Sequence, residues 1–223
     1  MKYKLLAVVA TILLFTASCS TTNSSQFLAP DYSKENTVRN STITILPVEA
    51  EYFFNLFPNY VYGELRPNES HIFDYYLPFY IERNTDADVT SIFKGDSLNG
   101  SAFEMKVLNL GTDEKMQIIG PKEETAVAME AINSRFTLIL DQYNYQMYTI
   151  ETGGGNYAGH EMQKETRLKF ETKYLIWDND LKKAAAWGKV NSVKKYSVMD
   201  GDQVYRNLLG DVLEKIIQKS PFS

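Results

Sequence analysis

The chain has 223 residues, 44% hydrophobic and 13% aromatic, with a formal net charge of -5. That apolar content excludes a disordered body, and the mildly acidic balance with no basic stripe argues against nucleic acid as a partner. One cysteine and two histidines leave no internal disulfide and no metal-ligand cluster to expect, and nothing in the sequence calls for a cofactor.

The chain opens with Lys2 and Lys4, an apolar run from Leu5 to Phe15, and then Thr16-Ala17-Ser18-Cys19. A basic start, an apolar run of about 7–15 residues and small residues at the exit describe a secretory signal peptide. The run falls short of the roughly 20 apolar residues a membrane-crossing helix needs. Ala17-Ser18-Cys19 resembles a bacterial lipobox, with Thr16 where a branched aliphatic is usual. The resemblance implies cleavage before Cys19 and a membrane attachment through lipid on that cysteine. Several acyl chains hold firmly where one holds only marginally, because each buried methylene contributes about 0.8 kcal/mol. Ser20 rather than Asp after the cysteine implies the outer membrane, with the body facing the periplasm. The expected organisation is a signal peptide over 1–18, a lipidated flexible tether rich in Ser, Thr and Asn over 19–40, and a single domain over 41–223.

Ser41 to Val48 is β-branched and reads as a buried first strand. From Glu51 to Tyr80 the chain is dense in aromatics but interrupted by Pro58 and Pro67, so two short helices or loops are expected. Val89 to Phe93, Phe103 to Leu110 and Lys115 to Ile119 read as short strands, and Glu123 to Asn133 as a helix. Arg135 to Ile150 is the clearest strand and stops at a triple glycine, Gly153 to Gly155. Arg167 to Trp177 and Ala184 to Tyr196 flank Asp178-Asn179-Asp180 as a hairpin. Val204, Leu208, Val212 and Ile216 recur at helical spacing in an amphipathic C-terminal helix over about 202–219, and Pro221 follows its end. The expected fold class is α+β, a mixed α/β arrangement with a single sheet, a long hairpin and packing helices.

Gly95-Asp96-Ser97-Leu98 resembles the name-giving block of the GDSL esterases and lipases, which implies Ser97 as a nucleophile. That chemistry also needs a base and oxyanion donors. His71 precedes the serine, His160 has Tyr157 rather than an acid three places earlier, and the family's Gly-x-Asn-Asp block is absent. A polar turn is the expectation, and no catalytic residue is assigned. The triple glycine lacks the Lys-Ser/Thr of a phosphate loop. Asp178 and Asp180 are explained by a turn without calcium. Tyr52, Tyr60, Tyr62, Tyr75, Tyr76 and Tyr80 remain as candidates for a partner or glycan surface, since tyrosines serve as amphipathic anchors as well as core.

The early TITILPV strand, the RFTLILDQY run, the hairpin KFETKYLIWDNDLKKAAAWGKV and the final helix ending KSPF together resemble a fold of bacterial envelope lipoproteins. It is similar to the amino-terminal domain of TolB, the curli-secretion lipoprotein and the lipoprotein activators of penicillin-binding proteins. That resemblance implies a non-enzymatic lipoprotein that assists assembly, secretion or transport through contacts with an envelope protein. A glycan- or peptidoglycan-binding module is the alternative reading.

Overall fold

The computed structural model describes residues 21–32, 40–92, 100–111, 113–127, 134–152 and 163–222. Cys19, the GDSL block with Ser97, the triple glycine and His160 lie outside the described residues.

Eight strands and three helices are described: β1 Thr21–Leu28, β2 Thr42–Pro47, α1 Ala50–Phe53, α2 Pro67–Asn84, β3 Asp88–Ile92, β4 Phe103–Asn109, β5 Lys115–Pro121, β6 Phe136–Thr152, β7 Gln163–Asp178, β8 Lys183–Lys195 and α3 Asp202–Gln218. Six strands form one sheet in the order β1-β8-β7-β6-β2-β3, and β4 pairs with β5 in a second, two-stranded sheet. The α+β class is as expected, but the single sheet is corrected to a large sheet and a small one. β2 runs parallel to both β3 and β6, and the other pairs of the large sheet are antiparallel.

The large sheet is a partition between two cores. Alternate residues point to opposite faces, so Leu138 and Leu140 join one core and Ile139 the other. On the first face lie α2, through Ile72, Phe73, Leu77 and Ile81, and α3, through Val204, Leu208, Val212 and Ile216. On the second lie the β4–β5 hairpin and Phe53 of α1, with Met116, Ile118 and Ile119 against Ile139, Leu175 and Trp177. β2 is buried on both sides, as an interior strand with parallel neighbours should be.

Three local expectations change. Thr21–Leu28, placed by its polar composition in a flexible tether, is an edge strand paired residue for residue with β8. Backbone groups supply those bonds, so a polar sequence forms the strand as well as an apolar one. Distant partners then fix it: Phe27 stacks on Trp187 with ring centroids 4.6 Å apart, and the Gln26 amide donates to the Tyr174 hydroxyl at 2.9 Å. The aromatic region holds one helical turn and one 18-residue helix rather than two short pieces. Pro67 occupies its first turn, where a missing N–H costs nothing, and the helix runs on through Pro78 because its apolar side packs into the first core. The described part of the Glu123–Asn133 segment, up to Val127, is turn and extended chain, not helix.

Candidate binding surface

β6 changes character at one point. From Phe136 to Asp141 every residue is buried. Gln142 then takes a positive φ of 49°, and the pairing shifts so that Asp141 faces Lys173 while Asn144 faces Glu171. Two residues, Gln142 and Tyr143, therefore oppose Thr172 alone, which is a β-bulge. Tyr143 is sent to the helix side, stacked on Phe73 at 5.0 Å. Asp141 stays on the other side, under the hairpin.

Beyond the bulge the second face is uncovered. From the boundary row of Ser25, Lys189, Lys173 and Asp141, the register lays out the uncovered rows across the sheet: Asn23, Asn191, Glu171 and Asn144; then Thr21, Val193, Lys169 and Gln146. Polar side chains fill nearly all of them. A groove of about 390 Å³ runs over this floor, walled by Val61 and Tyr62. Its wall is set by Gly63, where a Cβ would stand 2.8 Å from the Tyr143 backbone nitrogen and oxygen. Only glycine lets the chain come that close, and Glu64 then donates its N–H to the Tyr143 carbonyl at 3.1 Å.

At the boundary sits Asp141, 0% exposed. Its Oδ2 accepts from the Tyr60 hydroxyl and from the Ile119 backbone N–H at 3.2 Å. Burial pushes its carboxyl up to about 6, against the opposing hydrogen bonds of Tyr60 and Ile119 and the charge of Lys173. The Tyr60 hydroxyl is raised by burial first and then by Asp141. Lys173 is half-buried and lowered, by its own desolvation first, with Lys189 adding repulsion and Asp141 opposing it. Its Nζ donates to the Gln117 carbonyl at 3.0 Å, tying the floor to β5. These groups make a charged hinge line between a dry half-face and a wet one.

The six tyrosines do not share one surface. Tyr60 and Tyr62 meet edge to face at 5.4 Å beside the groove. Tyr52 packs on the rim of the second core. Tyr76 and Tyr80 pack against the first core from α2, 5.7 Å apart, and Tyr75, 74% exposed, projects from the same helix. Asp178 organises the β7–β8 turn: its Oδ1 accepts from the backbone N–H of Asp180 and Leu181, at 3.0 and 2.9 Å. Its Oδ2 accepts from Tyr32 at 2.9 Å. Among the described residues no group of three acidic, histidine or cysteine side chains could hold a metal, and no helix is long and apolar enough to cross a membrane.

The sequence reading did not single out Asp141, Lys173, Lys189, Asn144 or Asn191. The usable signal was alternation without an apolar partner, Lys169-x-Glu171-x-Lys173 and Lys189-x-Asn191, which marks a strand face left in water.

No family model matches the chain, and no curated protein matches it. Among solved structures it is similar to the PelC dodecamer from Paraburkholderia phytofirmans, at 12% identity and a TM-score of 0.43, over 87% of this chain and 95% of that one. A single-residue variant of that dodecamer in another crystal form gives the same identity and coverage at a TM-score of 0.40. Likeness at that level says nothing of what this chain binds.

Proposed function

We propose that the chain is a non-enzymatic lipoprotein of the bacterial envelope, held on the outer membrane through lipid on Cys19 and facing the periplasm. It assists assembly, secretion or transport by contacting an envelope protein. The observation that carries the contact is the uncovered half of the sheet's second face. A protein packs a sheet face or solvates it, and this one offers ordered rows of lysine, glutamate and asparagine beside a half-buried tyrosine. Tyrosine and mixed polar groups around a shallow groove suit a protein partner that docks and leaves.

A photo-cross-linking residue at Asn191 or Gln146 in living cells tests this. One discrete envelope protein captured from both positions, unaffected by Ser97→Ala, is the expected result. No product from either position removes the reading. Fluorophosphonate labelling that disappears in Ser97→Ala would replace it with a serine hydrolase.

A second reading is favoured by Tyr62 itself. Its ring walls a floor that holds the amides of Gln142, Asn144, Gln146 and Asn191, and a ring face beside amide donors and acceptors suits a sugar. Retention of the domain on purified sacculi, lost in Tyr62→Ala, would support peptidoglycan as ligand. A domain that does not sediment with sacculi ends it.

A further inference from the structure

We propose that the β1–β8 corner of the molecule, at the start of β1, rests against the bilayer, with the Val198–Met199 turn set into the lipid headgroup layer. This rests on the reading of Cys19 as the lipidated residue. Thr21 lies two positions after Cys19, with Ser20 alone between them, and chain geometry allows those two steps at most about 7 Å of reach. Thr21 is no free tether, since it pairs with Val193 of β8. The anchor therefore sets the β1–β8 corner near the membrane, while β6 and β7 run four residue pairs past the end of β8, to Thr152 and Gln163.

The strand register identifies what else lies at that end. Val193 pairs with Lys169, and Lys195 with Arg167, while Arg167 faces Tyr148 and Leu168 faces Met147 on β6. β8 ends there, and Tyr196 closes it by donating its N–H to the Thr166 carbonyl at 2.9 Å. The chain then makes a tight turn over Val198–Asp200 before α3. Ser197 and Asp200 cap each other across it, Asp200 Oδ2 accepting from the Ser197 N–H at 3.1 Å and Ser197 Oγ from the Met199 N–H at 3.3 Å. Gly201, at φ 49°, leads it into the helix.

This ordered turn holds up Val198 and Met199, 83% and 97% exposed, the most exposed large apolar side chains among the described residues. No core packs on them, and a turn closed by the Ser197–Asp200 capping box does not present them by fraying. Met147 and Tyr148, 42% and 38% exposed, add apolar surface from β6. A groove of about 480 Å³ opens beside the turn, with Lys194, Lys195, Asp200, Gln203 and Asn207 in its lining. The chain is acidic overall, but here carboxylates are matched by cations: Glu165 meets Arg167 and Lys195, Glu171 meets Lys169, and Asp211 meets Lys194. An apolar tip beside flanks whose lysines and arginine are paired with carboxylates suits an interfacial contact.

Radical footprinting read by mass spectrometry tests the contact. The mature chain from Cys19 is coupled through its thiol to maleimide-bearing lipid in phosphatidylethanolamine–phosphatidylglycerol vesicles, and compared with the same chain capped by a small maleimide in solution. Oxidation of Met199 follows its exposure, so anchoring should slow it by about fivefold or more. Leu181, 54% exposed in the turn at the far end of the β7–β8 hairpin, should not change. Equal Met199 rates in the two samples, or equal protection of Leu181, overturn the proposal. The intact mass of protein extracted from membranes separates the two readings. An unmodified chain overturns the anchor and this contact with it, whereas a lipidated chain with unprotected Met199 overturns the contact alone.

Discussion

The two halves of the sheet's second face are built from the same three long strands, yet one is dry and the other wet. Toward the Asp178 end, Ile139, Leu175 and Trp177 lie under the β4–β5 hairpin. Past the bulge the same strands turn out asparagine, lysine and glutamate. The hairpin is only seven residues long on each strand, while β6 and β7 run for 17 and 16. A short cover on a long sheet leaves a remainder, and the sequence of that remainder is suited to water or a partner rather than to a core. Stability should therefore reside in one half and recognition in the other.

The largest effect should follow from emptying the dry half. Trp177 is 2% exposed, donates its Nε1–H to the Thr125 carbonyl at 3.0 Å and carries Lys106 over its ring at 5.3 Å. Trp177→Ala should cost about 3–5 kcal/mol and lower the calorimetric melting temperature by ~10 °C. A melting temperature unchanged by this substitution would mean that the hairpin is not a structural cover.

The boundary itself can be read by pH. The folded Asp141 carboxyl titrates near 6, above its ordinary value of 3.8. The folded state thus binds this proton more tightly, and the stability it contributes is fully present below about pH 4 and lost as pH rises through 6. Wild-type protein should lose up to ~3 kcal/mol through this group across that window. Asp141→Asn keeps an acceptor for Tyr60 and Ile119 and should remove the slope. Urea midpoints at pH 4, 5, 6 and 7 compare the two, and parallel profiles would remove Asp141 as the boundary charge.

Gly188 sharpens the comparison from the edge. A Cβ there would stand 2.6 Å from the Ser25 carbonyl oxygen, so Gly188→Ala must push β1 off its neighbour. We expect a loss of about 1–3 kcal/mol, with amide exchange quickened first over Thr21–Leu28. Exchange unchanged there would return that segment to a tether. The smallest effect belongs to the wet half. Lys189→Ala and Asn191→Ala should alter stability by no more than about 0.5 kcal/mol while abolishing cross-linking to the partner, and a large drop in melting temperature would mean that these side chains hold the fold.

Periodicity made much of this legible in advance. RFTLILDQY, the hairpin around Asp178 and the Val204–Ile216 stripe announce strand, turn and helix because their partners are dictated by regular spacing. Features set by contacts far along the chain were hidden. β1 owes its order to Trp187, Tyr174 and the β8 backbone, more than 140 residues away, so its serines and threonines looked like linker. The candidate surface was hidden for a related reason: Asp141 sits at a boundary only because Gln142 bulges and β5 crosses over it at Ile119. Neither event has a local residue signature. The tyrosines were conspicuous in sequence but divide among both cores and the surface, since six aromatic positions spread over two helices and a loop have no common direction. Cys19, the residue most legible of all, lies outside the described residues.

The edge pairing of β1 also has a mechanical meaning. In a chain held through Cys19, any tension from the membrane enters at Thr21 and runs along the strand axis. The eight residue pairs between β1 and β8 are then loaded in shear, sharing the force, instead of being peeled apart one by one. Detachment under load is set by the barrier to opening rather than by equilibrium stability. If the proposed anchor and partner hold, a strand clamped this way would make the link between lipid and domain stiff, so that a pull on the partner would be felt at the bilayer with little slack between.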